Sequence, residues 1–476
     1  MVFSSSIFLL YFLPLFLVLY YFSDRSFKNT VLLIASIFFY TWGEPWFVFI
    51  LMTSTFLDFF IVRALYQSKT KKQKKIFLAL SVSTNLGLLI FFKYANFFVE
   101  NVNTIIGSFG MDELEWTKIA LPIGISFYTF QTLTYSIDIY RGKHKPLNNV
   151  FDYIMYIMMF PQLIAGPIVR FNEIADQITN RQDKETLDNK LTGFYRFVIG
   201  LSKKVLIANV VGQKADEIFA LSNNDLSTSL AWIGILAYAI QIYFDFAGYS
   251  DMAIGIGRMI GFKFPENFNN SYISQNISEF WRRWHITLGR WMKDYLYIPL
   301  GGNKVQSKFR LYFNLWFVFL VSGLWHGAAW NFVIWGAFHG FFLILDRLFL
   351  LKFYSFIGKW PSILITFIIT LVGWVIFRAD SFDQIVFYTE KMFSWTESNT
   401  SILFSNQFWT ILTVGLLFSF LTAFGFGLKI ENFFFNRDKY NVSTNIILSI
   451  IVIILLTISI SSITSSGFNP FIYFRF

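Results

Sequence analysis

The sequence contains no cysteine among its 476 residues. This absence excludes disulfide bonds, thiolate metal sites and a cysteinyl acyl-enzyme intermediate. Charged residues are scarce as well, because they make up 14% of the chain where soluble domains carry about 25%. The four histidines are dispersed and lack HExxH spacing, so the sequence predicts no metal site.

Apolar residues dominate what is present, at 55% of the chain with a mean hydropathy of +0.52. A chain of this length and composition cannot bury its apolar surface in one soluble core, so lipid is the expected solvent. The formal net charge of +10 then reflects the excess of lysine and arginine in cytoplasmic loops, not nucleic-acid binding. These features predict a multi-pass membrane protein with membrane lipid as its surroundings and no nucleic-acid partner.

Apolar runs of about 20 residues are long enough to cross a bilayer as helices. The clear candidates cover residues 7–22, 46–62, 76–92, 118–137, 228–247, 309–323, 328–350, 361–377, 407–427 and 444–462, and shorter runs cover 31–42, 151–165 and 252–262. We therefore expect an all-α, polytopic membrane fold of about ten to twelve spans with re-entrant or interfacial helices, in one domain over residues 1–476. The first run lacks the flanks of a cleaved signal and is interpreted as a retained span.

Basic loops predict the orientation of these spans. The strongest basic cluster lies between Arg63 and Lys75, and such clusters collect on the cytoplasmic side. Counting backwards puts the turn 43–46 outside, the loop with Arg25 and Lys28 inside and the N-terminus outside. Counting forwards returns the loop 141–145 to the cytoplasm, which is self-consistent.

Cations and carboxylates also occur inside apolar stretches. The segment 190–212 carries Arg196, Lys203 and Lys204 and is predicted to form an amphipathic helix on the cytoplasmic face. Asp245 and Asp251 lie in or at the end of an apolar run. We expect these two carboxylates to pair with buried backbone or with a basic helix in preference to a direct catalytic role.

The stretch 278–303 carries the densest chemistry. Ser278 is a plausible N-cap, and Pro299 with two glycines closes the element. At 100° per residue, aromatic side chains fall on one side of a single helix and His285 falls on the seam. The cations on the other side, expected to hold an anionic ligand such as a phosphate-bearing acyl donor, are Arg282, Arg283, Arg290 and Lys293. Anchoring of an interfacial helix is the alternative interpretation of these cations.

A second histidine, His326, lies in a strongly apolar, glycine-flanked stretch. An ionisable group at membrane depth is costly and marks a functional site by default, although a structural hydrogen bond remains an alternative. The pairs Gly323/Gly327 and Gly336/Gly340 have the spacing that lets helices approach closely. His339 is predicted to be a packing residue.

Three functional classes fit a multi-pass protein of this kind. The first is a membrane enzyme in which a near-neutral histidine acts as a base. The second is a transporter of a glycan or lipid-linked precursor, although the paired halves typical of transporters are not found. The third is a non-catalytic scaffold of a glycan-modifying complex, which would tolerate loss of His326.

The motifs of the chain resemble the membrane-bound O-acyltransferase (MBOAT) family, in its bacterial alginate O-acetyltransferase branch, which includes peptidoglycan O-acetylation proteins. The resemblance rests on WRRWHITLGRWMKDYLYIPLGGNK followed by WHGAAWNFVIWGAFHG. Further matching segments are MVFSS at the start, FFKYANFF, LPIGISFYTFQTLTYSIDIYRG, FPQLIAGPIVR, GLSKKVLIAN, QIYFDFAGYSDMAIG and the final PFIYFRF. Together they span almost the whole chain.

The resemblance implies an enzyme with defined site residues. His326 matches the family's invariant histidine and His285 its second active-site position. The implied activity passes acetyl groups from cytoplasmic acetyl-CoA, a donor substrate in the absence of any tightly bound cofactor, through the bacterial inner membrane. The implied acceptor is an extracytoplasmic surface polysaccharide of the alginate or peptidoglycan type. An SGNH-type acetyltransferase, periplasmic or membrane-anchored, is the implied partner.

The orientation is testable because the chain has no cysteine of its own. A single cysteine engineered at Ser68 should stay unlabelled by a membrane-impermeant thiol reagent in intact cells, since that position is expected in the cytoplasm. A cysteine at Pro45, in the turn 43–46, should be labelled. The reverse pattern would overturn the predicted orientation.

Overall fold

The structure, a computed structural model, describes all residues except 223, 398–399, 401, 436, 438, 466 and 471–476. The described part is helical and contains no strand, in agreement with the predicted all-α fold. The end of the motif PFIYFRF lies outside the described residues. The chain divides into two compact units, Met1–Thr186 with Gly257–Pro265, and Leu187–Ile256 with Glu266–Phe476. The single domain over residues 1–476 stays a prediction.

The first unit contains eight α-helices in its described part. A π-helical turn, Phe8–Phe12, leads into the first of them. The helices are α1 (Leu13–Phe22), α2 (Lys28–Gly43), α3 (Phe47–Gln67), α4 (Lys71–Ser108), α5 (Ile125–Tyr140), α6 (Val150–Met158), α7 (Phe160–Leu163) and α8 (Phe171–Thr179).

The second unit contains the remaining helices, with α11 extending three residues beyond it. They are α9 (Leu187–Ser202), α10 (Asn209–Phe219), α11 (Thr228–Met259), α12 (Ile277–Arg283), α13 (Ile286–Met292), α14 (Lys308–His326), α15 (Trp330–Leu345), α16 (Leu351–Ile357), α17 (Lys359–Arg378), α18 (Phe382–Phe393), α19 (Asn406–Phe420), α20 (Gly425–Phe435) and α21 (Val442–Ser465). Turns of π-helix, Lys203–Ala208, Lys293–Tyr297 and Asp346–Leu350, follow α9, α13 and α15.

Seven helices of the described part are long and apolar enough to cross a membrane. They are Phe47–Gln67, Lys71–Ser108, Thr228–Met259, Trp330–Ile357, Lys359–Arg378, Asn406–Ala423 and Val442–Ser465. This number is below the ten to twelve expected: the run 7–22 forms only a short apolar helix, Phe8–Phe22, and the helix Lys308–His326 that covers the run 309–323 is not among the seven. The run 118–137 becomes helical only at Ile125, after Gly124 with φ +79°, and the run 151–165 is divided at Met159.

In the first unit, a buried carboxylate joins three helices. Asp58 on α3 is fully buried. Its Oδ1 accepts hydrogen bonds from Ser81 Oγ (2.5 Å) and Asn85 Nδ2 (3.0 Å) on α4. Its Oδ2 accepts one from the Tyr153 hydroxyl (2.6 Å) on α6. Polar groups away from water must find partners in the protein, and these donors compensate the burial of the carboxylate.

In the second unit, the basic segment 190–212 turns its cations inward. Arg196 donates to Asp251 Oδ1 from Nε (3.0 Å) and Nη2 (2.8 Å), and Lys203 Nζ donates to Asp251 Oδ2 (2.7 Å). Lys204 pairs with Asp245 Oδ1 at 2.7 Å. The prediction that both carboxylates pair with a basic helix is confirmed. The segment forms α9, a π-helical turn and α10, and three of its cations pair with carboxylates of α11. The location of this amphipathic segment on the cytoplasmic face stays a prediction.

Two glycines let α9 and α11 approach closely enough for these ion pairs. A Cβ atom on Gly200 would lie 2.5 Å from the carbonyl oxygen of Gly248, and one on Gly248 would lie 2.6 Å from that of Gly200. Only residues without a side chain fit this backbone contact. The close packing places the cations of α9 beside the acids of α11, which is mostly buried along its length.

Removal of the shared carboxylate should destabilise the second unit. We expect Asp251→Ala to lower the free energy of unfolding by about 3 kcal/mol, because Lys203 loses its carboxylate partner and the buried Arg196 keeps only Glu266. Thermal unfolding of the purified chain in detergent measures the change. Glu217→Ala, which breaks the exposed pair with Lys214, is the control and should cost at most about 1 kcal/mol. Equal losses in both variants would contradict the assignment.

Candidate active site

The candidate site is built on the hairpin of α14 and α15. The backbone of Gly323 on α14 meets that of Phe332 and Gly336 on α15, with no room for a Cβ atom on either glycine. The predicted close approach through these glycines is confirmed. Because α14 ends at His326, the hairpin holds this residue at a helix terminus beside the first turns of α15.

The stretch 278–303 is not one helix, and this prediction is wrong. α12 ends at Arg283, Trp284 is extended, and His285 adopts the left-handed conformation with φ +45° before α13 begins. The aromatic and basic faces predicted at 100° per residue therefore do not continue past His285. A left-handed residue other than glycine costs roughly 1–2 kcal/mol, so surrounding contacts must hold this break in place.

Backbone hydrogen bonds to the segment before α12 hold the break. The amide of Ile286 donates to the carbonyl of Asn267 (2.9 Å), and the amide of Asn269 donates to the carbonyl of Arg283 (2.9 Å). These bonds replace helical ones that the break removes. The sequence pattern does not reveal them, because they join residues 19 and 14 positions apart.

The start of α12 also differs from the prediction. Its N-cap is Asn276, whose Oδ1 accepts from the amide of Glu279 (2.7 Å). Ser278 lies in the first turn and donates from both its amide and its hydroxyl to Asp346 Oδ2, each at 2.7 Å. The predicted cap is therefore an anchor that joins α12 to the end of α15.

His285 is buried and hydrogen-bonded through its Nδ1 atom. Only 1% of the surface of His285 is exposed, and its ring stands edge-on to that of Phe246 with ring centroids 4.8 Å apart. Nδ1 lies 3.1 Å from Asn267 Oδ1, which also accepts from the amide (3.2 Å) and hydroxyl (2.8 Å) of Thr287. A backbone amide only donates, so the Asn267 atom must be the oxygen and His285 Nδ1 must carry a proton.

The surroundings of His285 keep it uncharged. It lies outside the seven candidate spans, and burial lowers the pKa of its imidazole to about 3. At neutral pH the ring is then neutral, and with a proton on Nδ1 its lone pair is on Nε2. A neutral imidazole with its lone pair on Nε2 can accept a hydrogen bond from a hydroxyl group at that atom.

His326 lies next to His285 although 41 residues separate them in the sequence. The two ring centroids are 6.4 Å apart. His326 is buried against Trp335, edge-on at 5.1 Å, and against Phe377 at 5.4 Å. The structure thus brings the two predicted catalytic histidines together in an aromatic enclosure, while their catalytic role stays a prediction.

His339 lies on α15, about one helical turn after Trp335. It is buried, and its ring stands edge-on to Trp281 and Trp335, each at 5.0 Å. Trp335 contacts both His339 and His326. This aromatic packing agrees with the predicted structural role of His339.

The predicted donor-binding cations do not form one equivalent face. Arg282 and Arg290 are exposed, as is Lys293 at the start of a π-helical turn. Arg283 is partly buried and donates to Glu279 Oε1 from Nε (2.9 Å) and to the carbonyl of Asn269. Arg283 therefore stabilises α12, and donor binding by the four cations stays a prediction. The described residues contain no group of three or more acidic or histidine side chains placed to hold a metal ion.

Asn267 and Thr287 were not predicted from the sequence as residues of the site. Both are buried and bonded to the site, yet neither carries a signal at helical spacing. The one available hint was the polar run ENFNNSYISQN between apolar helices, which is unusual for a segment that is largely buried.

Comparisons with known proteins follow the same motifs. Residues 34–381 match the membrane-bound O-acyltransferase family. The chain is 41% identical to a probable alginate O-acetylase of Pseudomonas putida, with all of both chains covered. It is 45% identical to a probable alginate O-acetylase of Pseudomonas aeruginosa over 90% of this chain and 82% of that protein.

Two further relatives carry other names. A peptidoglycan O-acetyltransferase of Helicobacter pylori is 38% identical, with 81% of this chain and 78% of that protein covered. A teichoic acid D-alanyltransferase of Bacillus subtilis is 29% identical over 55% of this chain and 69% of its own length. The family match includes both histidines of the site and most of the chain. The chain is therefore an O-acyltransferase that belongs to the membrane-bound O-acyltransferase family.

Proposed function

We propose that the chain passes acetyl groups from acetyl-CoA through the membrane toward an extracytoplasmic acceptor, for O-acetylation of a cell-surface polysaccharide, with His326 as the principal base. The observation that carries the proposal is the pair of buried histidines whose ring centroids lie 6.4 Å apart. The relatives named as alginate O-acetylases and as a peptidoglycan O-acetyltransferase support an acetyl group and a glycan acceptor.

The chemistry is a direct transfer. The acceptor hydroxyl attacks the thioester carbonyl carbon while an imidazole takes its proton, and an ester bond forms as the carbon–sulfur bond breaks. The imidazolium returns the proton to the leaving thiolate of coenzyme A. Such general base catalysis typically contributes about 10²–10⁴-fold in rate. A cysteinyl intermediate is excluded by composition, since the chain contains no cysteine.

The aromatic enclosure supports this chemistry. Trp335, Phe377 and Trp325 surround the His326 ring, and Phe246 covers His285. Rings of this kind keep water away, which protects a thioester from hydrolysis and strengthens the hydrogen bonds inside the site. Transport or scaffolding alone requires neither a base nor a dry enclosure around it, and the family assignment favours the enzyme.

The membrane setting completes the proposal. The seven candidate spans make the chain a multi-pass membrane protein. We place it in the bacterial inner membrane with its N-terminus outside, a cytoplasmic donor and an extracytoplasmic acceptor, so that the acetyl group crosses the membrane through the site. An SGNH-type acetyltransferase is the proposed partner that completes transfer to the polymer.

The role of His326 is tested by His326→Ala and His326→Gln. Both variants should reach the membrane at the normal level and leave the surface polymer without ester-linked acetyl groups, with at least about a 100-fold loss of activity. Alkaline release of acetate from purified polymer measures the product. His144→Ala, in the loop after α5, is the matched control and should keep wild-type acetylation. Acetylation at the wild-type level in either His326 variant would refute the role.

Donor binding by the exposed cations is tested separately. Arg290→Gln and Arg282→Gln should each raise the KM for acetyl-CoA by about tenfold, because each removes a charged hydrogen-bond donor for the phosphates. Added salt should reproduce part of the loss in the wild type by screening. Lys308→Gln, an exposed cation at the start of α14, is the control. An unchanged KM in both arginine variants would leave these residues as membrane anchors only.

A further inference from the structure

We propose that Asn267 is a positioning residue that holds His285 as the tautomer protonated on Nδ1, so that Nε2 of His285 accepts a hydrogen bond from the reacting hydroxyl group in acyl transfer. The inference rests on the proposed function for the use of the lone pair. Its structural half, the tautomer, stands on the hydrogen bonds around Asn267 and is measured independently.

The identity of the Asn267 atom is fixed by its neighbours. Three donors converge on it: the amide of Thr287 (3.2 Å), the hydroxyl of Thr287 (2.8 Å) and Nδ1 of His285 (3.1 Å). If the side-chain amide were rotated by half a turn, its NH₂ group would face the Thr287 amide, and two donors would oppose each other. The oxygen must therefore face this side, and His285 must donate to it from Nδ1.

The rest of the amide group imposes no competing orientation. Asn267 is 1% exposed, and its Nδ2 atom is buried without a hydrogen-bond partner among the described residues. The hydrogen bonds that orient the side chain thus lie on its oxygen side. A buried asparagine whose oxygen accepts several hydrogen bonds is suited to hold a neighbouring side chain in one orientation.

The backbone keeps both residues in place. The carbonyl of Asn267 accepts from the amide of Ile286 (2.9 Å), the residue after His285. Two residues on, the amide of Asn269 donates to the carbonyl of Arg283 (2.9 Å), the last residue of α12. The left-handed His285 is therefore bracketed by two backbone bonds to the same short segment, while its side chain bonds to Asn267. The ring has little freedom to present its other nitrogen to Asn267.

The consequence for catalysis concerns the second nitrogen. With the proton on Nδ1, the lone pair of His285 is on Nε2, and the neutral ring can accept a proton or a hydrogen bond there. His326 lies beside it at 6.4 Å between centroids. Loss of the fixed tautomer in a histidine base leaves the ring in place but lowers turnover, because the wrong nitrogen holds the proton.

The first experiment measures the tautomer directly. The chain has four histidines, so protein labelled with ¹⁵N-histidine gives few imidazole signals, and His285→Gln identifies the signal of His285. We expect the Nδ1-protonated form in the wild type and its loss or averaging in Asn267→Ala. A wild-type ring protonated on Nε2, or an unchanged tautomer in Asn267→Ala, would overturn the inference even if acetyl transfer is established.

The second experiment measures turnover with acetyl-CoA in washed membranes. The free thiol released from acetyl-CoA is measured, and the signal from membranes that lack the chain is subtracted as background. The protein contains no cysteine and therefore contributes no thiol of its own. Asn267→Ala should lower kcat by about 100-fold while the KM for acetyl-CoA stays within about twofold. Asn269→Ala, an exposed asparagine in the same segment, is the matched control and should behave as the wild type.

Asn267→Asp separates positioning from mere structural support. It keeps the accepting oxygen but adds a negative charge beside Nδ1, which raises the pKa of His285. We expect kcat to recover to within about tenfold of the wild type, with the acidic limb of the pH–rate profile moved to higher pH, because the ring must be neutral to accept a hydrogen bond at Nε2. An unshifted profile overturns the inference, even if Asn267→Ala fails to fold. Absence of thiol release in the wild type would instead refute the proposed function and leave the tautomer result standing.

Discussion

Polar groups that leave water in this chain depend on partners within the protein, because the expected solvent around it is lipid. The described helices meet this constraint in several places. Asp58 collects donors from two other helices, and Asp251 is shared by Arg196 and Lys203. A charge without such a partner would cost several kcal/mol at membrane depth. The arrangement of helices therefore depends on pairing of buried polar groups as much as on apolar packing.

The same constraint shapes the candidate active site. The break at His285 removes helical hydrogen bonds, and the segment around Asn267 supplies new ones to the groups that the break leaves open. The break also turns the chain so that the histidine faces inward among aromatic rings. A continuous helix would have kept His285 in a regular surface pattern. The left-handed backbone of His285, its imidazole ring and the side chain of Asn267 form one structural unit as a result.

Glycines and aromatic residues contribute to the packing of the site in different ways. Gly323 and Gly336 let α14 and α15 meet along their backbones, which fixes the position of His326 at the end of α14. Trp335 then fills the space between His326 and His339. Large aromatic rings surround the His326 ring, and the two helices that carry Trp325 and Trp335 are in close contact.

Composition, apolar runs and motifs by themselves determined that the chain is an all-α membrane protein of the acyltransferase family, and they singled out His285 and His326. These properties follow from local chemistry that a linear pattern records. Only the tertiary structure decided that 278–303 is broken, that Arg283 bonds to Glu279 and that the cations of 190–212 face inward. The hydrogen bond between Asn267 and His285 was likewise found only in the tertiary structure. Each of these depends on a partner distant in sequence or on a local break in the helix, and helical periodicity carries no information about which residue will supply a hydrogen bond or a counter-charge.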